Sequence, residues 1–84
     1  MNLIHSVDHI DSQTSLVNFI QALIQDYSHD PSAWEHTSID SYLEALAAWV
    51  ADMEGYYERH GLTMPQEPTW HIVGQMLLAA KSYE

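Results

Sequence analysis

Hydrophobic residues fall at helical spacing in three stretches of this chain. In the first, Leu16, Phe19, Ile20, Leu23, Ile24 and Tyr27 stand at i, i+3, i+4, i+7, i+8 and i+11, and Asn18, Gln21, Gln25 and Asp26 take the other side. That is the pattern of an amphipathic helix with one buried stripe, expected over about residues 14–28 with Ser12 or Thr14 as its cap. In the second stretch, residues 37–61, Ile39, Leu43, Leu46, Val50, Met53 and Tyr57 recur at steps of four and three. One flank of this stripe is Tyr42, Ala45, Trp49, Asp52 and Tyr56, largely aromatic. The other is Asp40, Glu44, Ala47, Ala51, Glu54 and Glu58, and the back carries the small residues Ser41, Ala48 and Gly55.

Start and stop signals delimit this second helix to about residues 38–60. Thr37 or Ser38 caps the first turn, Asp40 meets the positive end of the helix dipole, and Arg59, His60 and Gly61 form a C-terminal signature. A helix apolar over most of its circumference is usually central. It is therefore expected to be the spine of the domain, with the helix of residues 14–28 lying against it. Beyond it, Gly61, Pro65 and Pro68 prevent continuation, and Thr69 caps a last helix over about 69–82. There Trp70, Val73, Met76, Leu77 and Ala80 are expected to face the body, with Ile72 and Tyr83 at the margins. Gly74 costs ~1 kcal/mol against Ala in a helix, and close packing against another backbone or a large ring is its expected compensation.

Between the first two helices, Asp30-Pro31 is a helix-start signal, because Pro fits the first helical position, where no N–H is needed. A single helical turn near residues 31–35 follows, and Trp34 is expected to plug the gap between the two helices. Residues 1–11 carry Leu3, Ile4, Val7 and Ile10, a pattern open to a short helix, a strand or an arm. The expectation is an all-α compact bundle of three principal helices. It makes one helical domain over residues 12–84, preceded by a poorly determined N-terminal arm at 1–11.

Length and composition narrow the classes. A chain of 84 residues makes one domain and buries only about 60–65% of its unfolded surface. Its small core therefore draws heavily on three Trp and five Tyr. There is no Cys, hence no disulfide, thiolate metal site or cysteine nucleophile. The N-terminal residues lack the cationic lead and apolar run of a signal peptide, and nothing approaches the ~20 apolar residues of a membrane span. A soluble, cytoplasmic protein is expected. Twelve acidic residues face two basic ones, Arg59 and Lys81, for a formal net charge of -10. Nucleic-acid binding relies on Lys and Arg neutralising phosphates, so neither nucleic acid nor an anionic membrane is an expected partner. The charge serves solubility, or it meets a basic protein.

The run Trp34-Glu35-His36, then Leu43-Glu44-Ala45, Trp49, Asp52 and the pair Tyr56-Tyr57, followed by Pro68-Thr69-Trp70 and a terminal Tyr83-Glu84, resembles an uncharacterised family of small acidic bacterial domains. The resemblance covers about residues 14–84 and is specific in its tryptophans and acids. It implies a fold and a set of anchors, with no activity attached. The departure is His36, where the family pattern carries Asn. If that amide makes a structural hydrogen bond, a ring nitrogen of His36 must replace it.

Few residues invite chemistry. Asp52, set among aromatics, must be hydrogen-bonded or have a raised pKa. Its cheapest partners are a Tyr hydroxyl, a Trp indole N–H or a capping N–H of the last helix. Together with Trp34, Glu35 and His36 it makes a candidate small-ligand or metal site, provided these residues converge. Glu35 also reads as a cap for nearby backbone N–H groups. His5 and His9 at i and i+4, with Asp8 between them, form a metal candidate. Catalytic templates are absent: no Gly-rich phosphate loop, no strained Ser elbow, no HExxH. Glu44 and Glu54 lie ~15 Å apart along a helix, beyond the roughly 5–10 Å of a glycosidase pair. The leading expectation is a non-enzymatic, cofactor-free protein-binding module, of which an antitoxin or immunity protein is one form. Its acidic flank, Asp40, Glu44, Glu54 and Glu58, would engage a basic partner. The alternatives are a ligand- or metal-binding domain and a structural homodimer. The homodimer is suggested by nine aromatic residues, a large number for so small a core to hide; the chain is expected to be a monomer or a homodimer.

Overall fold

The computed structural model describes residues 3–83. These form four α-helices, α1 (Leu3–Val7), α2 (Gln13–His29), α3 (Ile39–Arg59) and α4 (Trp70–Ala80), with a 3₁₀ turn at Pro31–Ala33. No strand occurs among the described residues, and the three principal helices and the turn stand close to where periodicity and caps placed them. Glu84, the last residue of the resemblance, lies outside the described residues, as do residues 1 and 2 of the N-terminal arm.

The helix ends are set locally. Ser12 Oγ accepts from Ser15 N–H at 3.1 Å, and Ser15 Oγ accepts from Ser12 N–H at 2.9 Å, a reciprocal capping box. Ser38 Oγ accepts from Ser41 N–H, and Thr69 Oγ1 accepts from Ile72 N–H at 3.1 Å. Each satisfies a donor that has no partner inside its helix. Asp40, in the first turn of α3, is held below the usual carboxylate range by the Ser38 hydroxyl and then the Ser41 N–H. At the far end of α3 the chain reverses through Gly61 at φ 66°. Leu62 N–H donates to Tyr57 O at 2.9 Å and Gly61 N–H to Glu58 O at 3.1 Å, the paired bonds of a Schellman motif. A Cβ at Gly61 meets no atom within 4 Å, so only the left-handed backbone penalises a side chain there. Gly61→Ala should cost about 1 kcal/mol, read as a lowered urea midpoint at unchanged slope.

The centre of the fold is α4, not α3. From His71 to Ala80 every residue is buried or half-buried, whereas α3 is exposed along a broad side. No Cα of α2 lies within 8 Å of a Cα of α3; both helices pack on α4. Two small cores result. On one face of α4, Val73, Leu77 and Leu78 close over Leu3, Val7, Ile10, Leu16, Phe19 and Leu23 of the α1–α2 segment. On the other, Ile72, Met76 and Ala79 meet Trp49, Met53 and Tyr57 of α3.

This corrects the expectation that the helix of residues 38–60 is a spine with the first helix against it. The residues of its apolar stripe are not equivalent: Met53 and Tyr57 are buried, while Ile39, Leu43 and Val50 are exposed. The buried face is displaced toward the aromatic column, through Ala45 and Trp49. In α4 the roles also differ from the wheel: Ile72 is core, and Trp70, at the N-terminus, is exposed. Gly74 is compensated by an aliphatic side chain and not by a backbone or ring. The position a Cβ would take is occupied by Ile10 Cδ1, with Val7 Cγ2 3.4 Å away. Thus the segment before Ser12, whose conformation the sequence left open, begins as α1 and seats Leu3, Val7 and Ile10 in the first core.

Candidate functional site

Because α2 and α3 each pack on α4 and not on each other, the space between them is an open groove of about 500 Å³. Leu23 and Leu77 form its floor. Ile20 and Ile24 line the α2 wall, Ile39 and Leu43 the α3 wall. The four wall residues are all exposed, Ile24 at 57% and Leu43 at 52%. On each helix these are residues that periodicity assigned to a buried stripe. No Asp, Glu, Lys or Arg is among the residues that line the groove.

One end of the groove is closed by an aromatic wall. Trp34, carried in by the 3₁₀ turn, meets Tyr27 of α2 edge-on at 5.3 Å and Tyr42 of α3 at 6.0 Å between ring centres. It therefore plugs the gap at this end, as its position between the helices suggested. The Tyr42 hydroxyl donates to Leu77 O at 2.7 Å, and burial pushes its pKa up. The Tyr27 hydroxyl donates to Thr37 O at 3.3 Å.

Behind this wall lies a polar knot. Trp34 Nε1–H donates to Asp26 Oδ2 at 2.8 Å, and Lys81 Nζ donates to the same oxygen at 3.0 Å. Lys81 Nζ also stands 5.6 Å from the centre of the Trp34 ring. The Lys81 hydrogen bond, followed by that from Trp34, holds the Asp26 carboxyl below the usual range. The knot joins α2, the connection and the end of α4.

The candidate ligand residues do not line one cavity. Glu35 offers its backbone, N–H to Lys81 O at 3.1 Å. His36 Nε2 lies 2.6 Å from Tyr83 O, and since a carbonyl only accepts, Nε2 carries the proton and donates. The Tyr83 hydroxyl hydrogen-bonds Asp52, and that bond raises the Tyr83 pKa. His36 and Asp52 thus grip opposite ends of one residue, Tyr83, and fix the segment after α4. His36 borders the groove, whereas Asp52 lines a separate polar recess with Glu54, Glu58 and Arg59. His36→Ala should lose about 1 kcal/mol, and His36→Asn, whose amide also donates, should recover most of it; thermal melting of the three proteins decides.

The acidic flank divides in the same way. Asp40 and Glu44 adjoin Ile39 and Leu43 at the groove, and Glu54 and Glu58 lie at the recess. At the N-terminal segment, His5 Nε2 and His9 Nε2 stand 3.1 Å apart. Asp8 is instead turned toward His71, 3.7 Å from its Nε2. No group of three or more metal-ligating side chains gathers among the described residues.

Two features escaped the sequence. Asp26 was placed on the polar side of its helix, and its partner Lys81 is 55 positions away; the scarcity of cations was the one available hint. The groove escaped because a helical stripe shows which residues share a face, not whether anything covers it. No curated protein and no solved structure gives a match to this chain. Residues 12–84 match the model of a family of unknown function, DUF7660, and the chain belongs to that family.

Proposed function

We propose that this chain is a non-enzymatic protein-binding module that receives a basic partner in the groove between α2 and α3, in the manner of an antitoxin or immunity protein. The observation that carries this reading is the row of exposed aliphatic side chains, Ile20, Ile24, Ile39 and Leu43, facing a common floor. Contiguous apolar surface of this kind, rimmed by polar residues, marks interaction sites on small proteins. The sign of the partner follows from the net charge of -10, which steers cationic proteins and repels anionic ones.

The test is site-specific photo-crosslinking in cells that express the chain. A photoreactive amino acid at Leu43 should give discrete adducts, weakened by charge substitution at Ile24. The same group at Ala48, exposed on the back of α3, should give none. Equal adducts from both positions, or none from Leu43, would contradict the reading.

A further inference from the structure

We propose that the groove receives a single amphipathic helix whose charged flank is cationic and runs along α3. This rests on the protein-binding reading and specifies its partner. Geometry selects a helix. Both walls are helices, both seated on α4, with no Cα of one within 8 Å of the other. The open groove of about 500 Å³ between them offers a further helix a wall on each side to pack against and Leu77 to rest on. An extended peptide adds by pairing to a sheet edge, and the described residues contain no strand. The anchors are apolar, as a helix presenting i, i+3/4 and i+7 side chains to such a groove requires.

Charge selects the flank and the orientation. On α3, the residues immediately after Ile39 and Leu43 are Asp40 and Glu44; on α2, those after Ile20 and Ile24 are Gln21 and Gln25. All four polar residues are exposed, each about 100° further round its helix than the wall residue before it. One lip is therefore anionic and the other neutral. A helix entering the groove gains from Lys or Arg on its α3 side and from uncharged polar residues on its α2 side. A second copy of this chain is the poorer occupant. It brings a net charge of -10 and only two cations, of which Lys81 is already engaged by Asp26.

The test uses three helical peptides of about five turns with the same leucine stripe and a lysine, glutamine or glutamate flank. Each is titrated into the full chain and followed by fluorescence anisotropy. At low salt the lysine peptide should bind roughly tenfold more tightly than the glutamine peptide, with the advantage collapsing by about 0.5 M NaCl. Asp40→Lys with Glu44→Lys should transfer the preference to the glutamate peptide. Leu43→Lys should weaken all three. Equal affinity for the lysine and glutamine peptides overturns the cationic flank and leaves the groove reading standing. Binding indifferent to Leu43→Lys overturns the groove reading itself. Absence of binding by any peptide overturns the helical occupant. If the mass in solution then doubles with concentration, and Leu43→Lys abolishes the doubling, a second copy takes its place.

Discussion

Ile72→Ala should lower stability by about 2–4 kcal/mol, roughly 10–30 °C in melting midpoint for a domain of this size, whereas Ile39→Ala should change it by no more than ~0.5 kcal/mol. Both remove the same atoms from a helix. Ile72 is 4% exposed and packed among Trp49, Met53 and Tyr57. Truncation there withdraws apolar area from the core and leaves a void between α3 and α4. Ile39 is 81% exposed and has little burial to lose. A bundle centred on α3 would give the opposite order, since Ile39 would then belong to the central stripe. Thermal melting of the two variants separates the two architectures.

Trp34→Ala should cost about 2–3 kcal/mol, below the 3–5 of a fully buried Trp because the ring is half-exposed. It should also flatten the acid limb of the stability curve. The ring supports the edge contacts with Tyr27 and Tyr42, and its indole N–H is one of the two donors that keep Asp26 ionised. The sign follows from linkage. The folded-state pKa of Asp26 is depressed, so the unfolded state binds more protons around the unfolded value of about 3.9. The contribution of the knot is present above that value and lost as pH falls through it toward the folded pKa. Asp26→Asn should therefore be less stable than wild type at neutral pH and should lose less further stability between about pH 5 and pH 3. Tyr42 acts at the other limit. Burial raises its pKa, so its contribution holds below about pH 10 and is lost as pH rises through the raised value. Urea unfolding across pH, compared among wild type, Trp34→Ala and Asp26→Asn, checks the set.

What the sequence made legible was local. Ser38, Thr69 and Gly61 announce helix ends because capping is decided within a few residues, and the tryptophan after Asp30-Pro31 announces a plug. The hierarchy of the helices was not legible from length. The 21 residues of α3 suggest a spine, yet the shorter α4 carries no Asp, Glu, Lys or Arg from Trp70 to Ala80. A helix apolar over nearly its whole circumference is covered on most of its sides, and weighing that above length would have named α4 the centre. Asp52 was correctly paired in kind, with a tyrosine hydroxyl among its partners, but not in identity. Tyr83 is remote in sequence and reaches it only because α4 folds back along α3. The Asp26–Lys81 pair was out of reach for the same reason.

The proposed function depends on the groove being open in solution. The absence of cysteine makes that directly measurable: single substitutions Ile24→Cys, Leu43→Cys and, as a buried control, Ala45→Cys, each reacted with a maleimide under native conditions. Leu43→Cys and Ile24→Cys should label within a few-fold of the rate of a free thiol, and Ala45→Cys at least ~100-fold more slowly, limited by opening of the α3–α4 interface. Protection of Leu43→Cys and Ile24→Cys comparable to that of Ala45→Cys would contradict the account, since α2 and α3 would then cover each other and leave no groove to fill.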